Sequence, residues 1–76
     1  MKHYEINFSN SNNAWYDADS FTGSELNMLK YVNEKLHNKE NKLYNLWIYN
    51  ADDSLYGNFR RGKKLEKLIN KLFPIT

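Results

Sequence analysis

The run Tyr44-Asn45-Leu46-Trp47-Ile48-Tyr49-Asn50 constrains this chain more than any other stretch. It is β-branched and aromatic, and the turn-forming residues Ala51-Asp52-Asp53-Ser54 close it, so it reads as a central strand. Successive side chains of a strand point to opposite faces. Tyr44, Leu46 and Ile48 therefore share one face, and Asn45, Trp47 and Tyr49 share the other. Leu46 and Ile48 carry no polar side-chain atom and mark the core side. Two large aromatics on the far side need either a second covering layer or a partner, and Trp and Tyr are commonly only part-buried.

The same alternation appears from His3 to Phe8, where Tyr4, Ile6 and Phe8 form one face and His3, Glu5 and Asn7 the other, a strand with one wet side. Five turn-forming residues, Ser9 to Asn13, follow. Ala14 to Phe21 is a weaker strand, supported by Trp15, Tyr16 and Phe21 and opposed by Asp17, Asp19 and Ser20, and the expected hairpin runs from residue 3 to about residue 18. Thr22 with Glu25 three residues on makes a capping box, which places a helix start at Thr22. Met28, Leu29, Val32 and Leu36 fall on one helical stripe, flanked by Leu26 and Tyr31, and the helix ends near His37-Asn38. Lys39 to Lys42 is a polar connection. Beyond the central strand, Leu55 to Arg60 is a fourth strand, Gly62 interrupts, and Lys63 to Phe73 is a second helix with Leu65, Leu68, Ile69 and Leu72 on one side, stopped by Pro74.

Both halves thus read strand–strand–helix. An offset of 40 residues aligns Tyr4 with Tyr44, Ile6 with Leu46, Phe8 with Ile48, Trp15 with Leu55, Tyr16 with Tyr56 and Met28 with Leu68, so residues 1–40 and 41–76 are candidates for a pseudo-repeat. Any two ββα units of equal size would align their apolar positions as well. Two amphipathic helices need a shared apolar surface, and a four-stranded antiparallel sheet supplies one. The expected fold is α+β: a single domain over residues 1–76 in ββα-ββα order, four antiparallel strands with both helices on one face. Leu29, Val32, Leu46, Ile48, Leu68 and Leu72 should be buried together.

With 76 residues the domain is small and its core correspondingly marginal, and with no cysteine it has no disulfide or thiolate metal site to supplement that core. An aromatic content of 16% compensates, because large rings bury much area each. There is no long apolar run for a membrane helix and no apolar signal-peptide core near Met1, so a soluble cytoplasmic protein without membrane contact is the expectation. The 12 asparagines and 9 lysines suggest an A+T-rich genome such as that of a low-GC bacterium or its phage.

Charge is distributed unevenly. Residues 1–56 carry five lysines against eight acids, a balance of −3, whereas residues 57–76 carry Arg60, Arg61, Lys63, Lys64, Lys67 and Lys71 against Glu66 alone, a balance of +5. Such asymmetry points to an anionic partner, although lysine-rich solvated helix faces are common. Gly57 to Lys64 resembles a P-loop, but the final hydroxyl is replaced by Lys64 and the chain is too short for a nucleotide-hydrolysing domain. What survives is a sharp turn at Gly62 opening a helix N-terminus among cations, with Lys64, Lys67 and Lys71 along one helical side.

No catalytic constellation is visible. Asp17 with Asp19 and Asp52 with Asp53 lack a calcium-loop context and read as turn caps and solubilising charges. His3 and His37 have no ligand-spaced partner and read as surface histidines. Ser24 and Ser54 have no paired base. No enzyme activity, metal or cofactor is expected. Two functions compete. In the first, slightly favoured, Arg60, Arg61, Lys63, Lys64, Lys67 and Lys71 meet nucleic-acid phosphates while Trp47 and Tyr49 on an open sheet face stack on bases. In the second, a small phage or mobile-element protein uses the same aromatics and arginines to bind and inhibit or modulate a host protein. Self-association, as a homodimer through the open sheet face or by an edge strand, is a third expectation, because exposed aromatics are costly.

Overall fold

The computed structural model describes residues 1–10, 16–38, 40 and 42–74, with the backbone alone at Tyr16. The Ser11–Asn13 part of the expected first turn, Trp15, and residues 39 and 41 of the polar connection lie outside the described residues. Six elements follow in order: β1 (Lys2–Ser9), β2 (Tyr16–Gly23), α1 (Glu25–His37), β3 (Asn45–Asn50), β4 (Leu55–Arg60) and α2 (Lys64–Leu72). The strands form one antiparallel sheet in the order β2-β1-β3-β4. This is the expected α+β architecture in the expected ββα-ββα order.

Strand parity decides the layers. Tyr4, Ile6 and Phe8 of β1, Leu46 and Ile48 of β3 and Phe59 of β4 are buried in one cluster with Met28, Leu29, Val32 and Leu36 of α1, Leu43, and Leu65 of α2. Both helices therefore cover the same sheet face. Four of the six residues expected in the core are there, but two are not. Leu68 is only part-buried against the cluster and Leu72 is 44% exposed, because α2 lies at the rim of the sheet and seats its first turn, through Leu65, deepest. Tyr44, expected on the core face, precedes β3 and is 38% exposed.

Two local expectations change. The second strand runs Tyr16–Gly23, later than the expected hairpin, with Lys2 opposite Gly23 and Ser9 opposite Tyr16. Thr22 is consequently a strand residue whose hydroxyl meets the His3 ring at 2.9 Å, not a helix cap. Ser24 caps α1 instead, its Oγ accepting from the Asn27 N–H at 3.1 Å. The tertiary gain of pairing eight residues with β1 outweighs the local Thr22–Glu25 box, and Glu25 is left to accept a hydrogen bond from the Tyr56 hydroxyl. Burial and that bond to Glu25 push the Tyr56 hydroxyl well above the ordinary phenol range.

Asp17 and Asp19 are the second surprise. They lie opposite Phe8 and Ile6, so they face the helix layer from the edge strand. Lys35 of α1 reaches both, at 3.1 and 3.0 Å, and its ammonium sits 5.0 Å above the Phe8 ring. The Tyr31 hydroxyl also donates to Asp19, and the Tyr31 ring stacks on Phe21. These acids are structural ion-pair members rather than turn caps, and inward-pointing charges of this kind also discourage another chain from pairing with the edge of β2. At the other hairpin the expected turn is present. Asp53 adopts φ 68°, the Asp53 N–H donates to Asn50 O at 3.0 Å, and Asp52 accepts from the Ser54 N–H.

Candidate interaction surfaces

The strand register arranges the sheet face away from the helices in cross-strand rows. One row reads Ser20, Glu5, Tyr49, Leu55, and the next Ala18, Asn7, Trp47, Asn58. A third places Ser9 beside Asn45 and Asn45 beside Arg60. Ser9 and Asn45 in that last row are buried, and Asn45 Oδ1 accepts from Asn58 Nδ2 at 2.8 Å. A register shift after Ile48 leaves Tyr56 turned into the core against Tyr4, while Leu55 comes to lie beside Tyr49 and is 56% exposed. Trp47 and Tyr49 are half-buried, and Arg60 is exposed. The sheet residues expected to form a contact surface, Trp47 and Tyr49, thus share one face with Arg60 and Leu55.

The charge on this face is small. Glu5 is its one acid among the described residues and Arg60 its one permanent cation. Among the described residues the other basic side chain on this face is His3, whose ring lies 2.6 Å from Glu5. Around them the surface is asparagine, serine and threonine.

The basic residues do not join it as a group. Gly57 to Arg60 is strand, so the P-loop-like stretch builds no phosphate-cradling loop. Gly62, at φ 146°, turns the chain from the sheet edge into α2 on the opposite layer. Lys63, Lys64, Lys67 and Lys71 are exposed, but they belong to that helix layer. Arg61 differs from all of them. It is half-buried, its Nε donates to Leu36 O at 2.8 Å and its Nη2 to Asn38 O at 3.2 Å, and its backbone N–H donates to Tyr44 O. Arg61 therefore satisfies the C-terminal carbonyls of α1, which any helix end leaves unpaired. His37, expected at the surface, is half-buried in the same junction, with Nδ1 at 2.9 Å from Asn33 O and Nε2 at 3.1 Å from the Gly62 N. Two chain neighbours, Arg60 and Arg61, thus point to opposite sides of the domain, which follows from strand parity and could have been read from it.

Among the described residues no group of three His, Asp or Glu side chains is placed to hold a metal ion. Among the described residues no helix is long and apolar enough to cross a membrane. The depression beside α1 is lined by Tyr31, Glu34, Lys35 and Asn38, and its lysine is already engaged by Asp17 and Asp19. Comparison with protein-family models, with curated proteins and with solved structures finds no match.

Proposed function

We propose that this chain is a small non-catalytic binding module that engages a protein partner through the β3–β4 half of its open sheet face. The observation that carries the reading is the register, which gathers Trp47, Tyr49, Leu55 and Arg60 on one surface amid Asn7, Asn58 and Ser20. Aromatic and arginine side chains dominate the energetic centres of protein interfaces. Tyrosine and tryptophan give large contact area for little lost conformational freedom, and short amides and hydroxyls beside them supply adaptable hydrogen bonds. Base stacking with phosphate pairing on the same face is less favoured, since Glu5 lies directly beside Tyr49 and, among the described residues, Arg60 is the one permanent cation on the face that carries the aromatics.

The test is capture of a partner from a nuclease-treated lysate of cells that carry the gene, followed by affinity measurement with variants. Trp47→Ala or Tyr49→Ala should cost about 2 kcal/mol or more, roughly 30-fold in Kd, while substitution of Lys64, Lys67 and Lys71 should leave the affinity unchanged. Capture that is indifferent to Trp47 and Tyr49, or that nuclease removes, would sink the reading. Sedimentation of the purified chain separates the remaining occupant: a dimer lost in Trp47→Ala would make the partner a second copy.

A further inference from the structure

We propose that Lys64, Lys67 and Lys71 of α2 form a second, separate surface that lies along the sugar–phosphate backbone of nucleic acid without reading its bases. At about 100° per residue these three side chains fall within roughly 60° of arc, and at about 1.5 Å rise per residue they span roughly 10 Å along the helix. At about 3.4 Å of axial rise per phosphate of one strand, that length covers about three phosphate spacings. All three are exposed, and among the described residues none has an ion-pair partner. Glu66, the one acid of α2, lies outside the arc. The charge complement of a straight row of unpaired lysines is a straight row of phosphates.

A lipid surface fits less well. An interfacial helix needs an apolar face to bury among acyl chains. The apolar face of α2 is already committed, with Leu65 fully buried and Leu68 and Ile69 packed against the core, and only Leu72 is left largely exposed. The strip also carries no aromatic residue, so it has nothing with which to stack on bases, and lysine acts on phosphate as a point charge. Sequence preference and any requirement for single strands are therefore absent. This inference is independent of the protein-binding reading, because the strip belongs to the helix layer and Trp47 and Tyr49 to the open sheet face.

The experiment is fluorescence anisotropy of a labelled duplex of about 20 base pairs with the full chain between about 50 and 200 mM salt. Three phosphate contacts give a slope of log affinity against log salt of about −2.7, hence about a 40-fold loss over that range. The triple variant Lys64→Gln, Lys67→Gln, Lys71→Gln should lose most of that slope, each single variant about 0.9 of it, and the triple arginine variant should retain it. Scrambling the probe sequence, and Trp47→Ala, should change nothing. Circular dichroism confirms that each variant is folded. The inference is overturned by a duplex that does not bind, by a glutamine triple that binds with the original slope, by binding that needs Trp47, or by phosphatidylserine vesicles that bind where the duplex does not.

Discussion

Arg61→Ala should behave as a folding mutation although it sits in the middle of a basic cluster. Its guanidinium makes two hydrogen bonds to main-chain carbonyls at the end of α1, at 2.8 Å to Leu36 O and 3.2 Å to Asn38 O. A hydrogen bond with a charged partner contributes about 1.5–3 kcal/mol when shielded, and a cation at a helix C-terminus about 0.3–1 kcal/mol more. The second bond is long and exposed, so it adds little. The sum is about 2–3 kcal/mol. In a domain of this length that lowers Tm by roughly 8–24 °C. Urea denaturation gives the number directly, with an unchanged m-value confirming a two-state loss of stability. Arg60→Ala, one residue away and exposed, should stay within about 0.5 kcal/mol. Arg61→Lys keeps the charge but not the fork, and should restore less than half. If Arg61→Ala and Arg60→Ala unfold at the same urea concentration, the assignment of Arg61 to the α1 terminus is wrong. The practical consequence concerns binding scans: an apparent loss in Arg61→Ala must be corrected for unfolded protein before it is read as a lost contact.

Three further outcomes follow from the same geometry. Ser24→Ala should cost about 0.5–2 kcal/mol through loss of the α1 cap, and Thr22→Ala, on the neighbouring strand, appreciably less, both by urea titration. Leu65→Ala should cost about 2–5 kcal/mol and Leu72→Ala less than about 1 kcal/mol, because the first side chain is fully buried and the second is 44% exposed. Lys35→Met should cost about 1–2 kcal/mol at pH 7, after discounting for the quarter of its side chain that meets solvent. That cost should shrink in acid. Burial of Asp19 opposes its charge, but the Tyr31 hydroxyl, Lys35 and the Ser20 N–H outweigh this and hold the carboxyl below its ordinary value of 3.8. A depressed carboxyl contributes stability above its unfolded pKa and loses it as pH falls through the folded value, so a Lys35→Met penalty that is the same at pH 7 and in strong acid would show that the ion pairs are not what the substitution removes.

The strands and helices were legible because their signals are local and repeated. Alternation in Tyr4–Phe8 and Leu46–Tyr49, the Ala51–Ser54 turn, and the stripe Met28, Leu29, Val32, Leu36 each name an element and its buried side without reference to the rest of the chain. The bounds of the second strand are not legible locally, because its inward positions are Asp17, Asp19 and Phe21. Two of those are charged, and only the arrival of Lys35 and Tyr31 from α1 makes them tolerable there. No local rule anticipates that. The Thr22 cap failed for a related reason: Thr22–Glu25 and Ser24–Asn27 offer caps two residues apart, and pairing of β2 with β1 through Gly23 decides between them.

The candidate surfaces were only half legible, and parity explains which half. Trp47 and Tyr49 follow from the alternation that buries Leu46 and Ile48, so their face is fixed once β3 is recognised. In the sequence the cations form one group by proximity, and proximity in sequence fails where a strand runs into a helix on another layer. Arg60 is the last residue of β4 and takes the open face. Arg61 is the next residue and turns inward to the end of α1, and Gly62 then carries Lys63, Lys64, Lys67 and Lys71 into the helix layer. One basic cluster in the sequence therefore becomes three features in space: an arginine beside aromatics, an arginine that completes a helix, and a row of lysines. Each carries a different physical prediction, since truncating the first should alter one partner's affinity, the second the folded fraction, and the third the dependence of binding on salt. A scan that measured only overall binding would blur them; measuring stability, affinity and salt slope on the same variants keeps them apart.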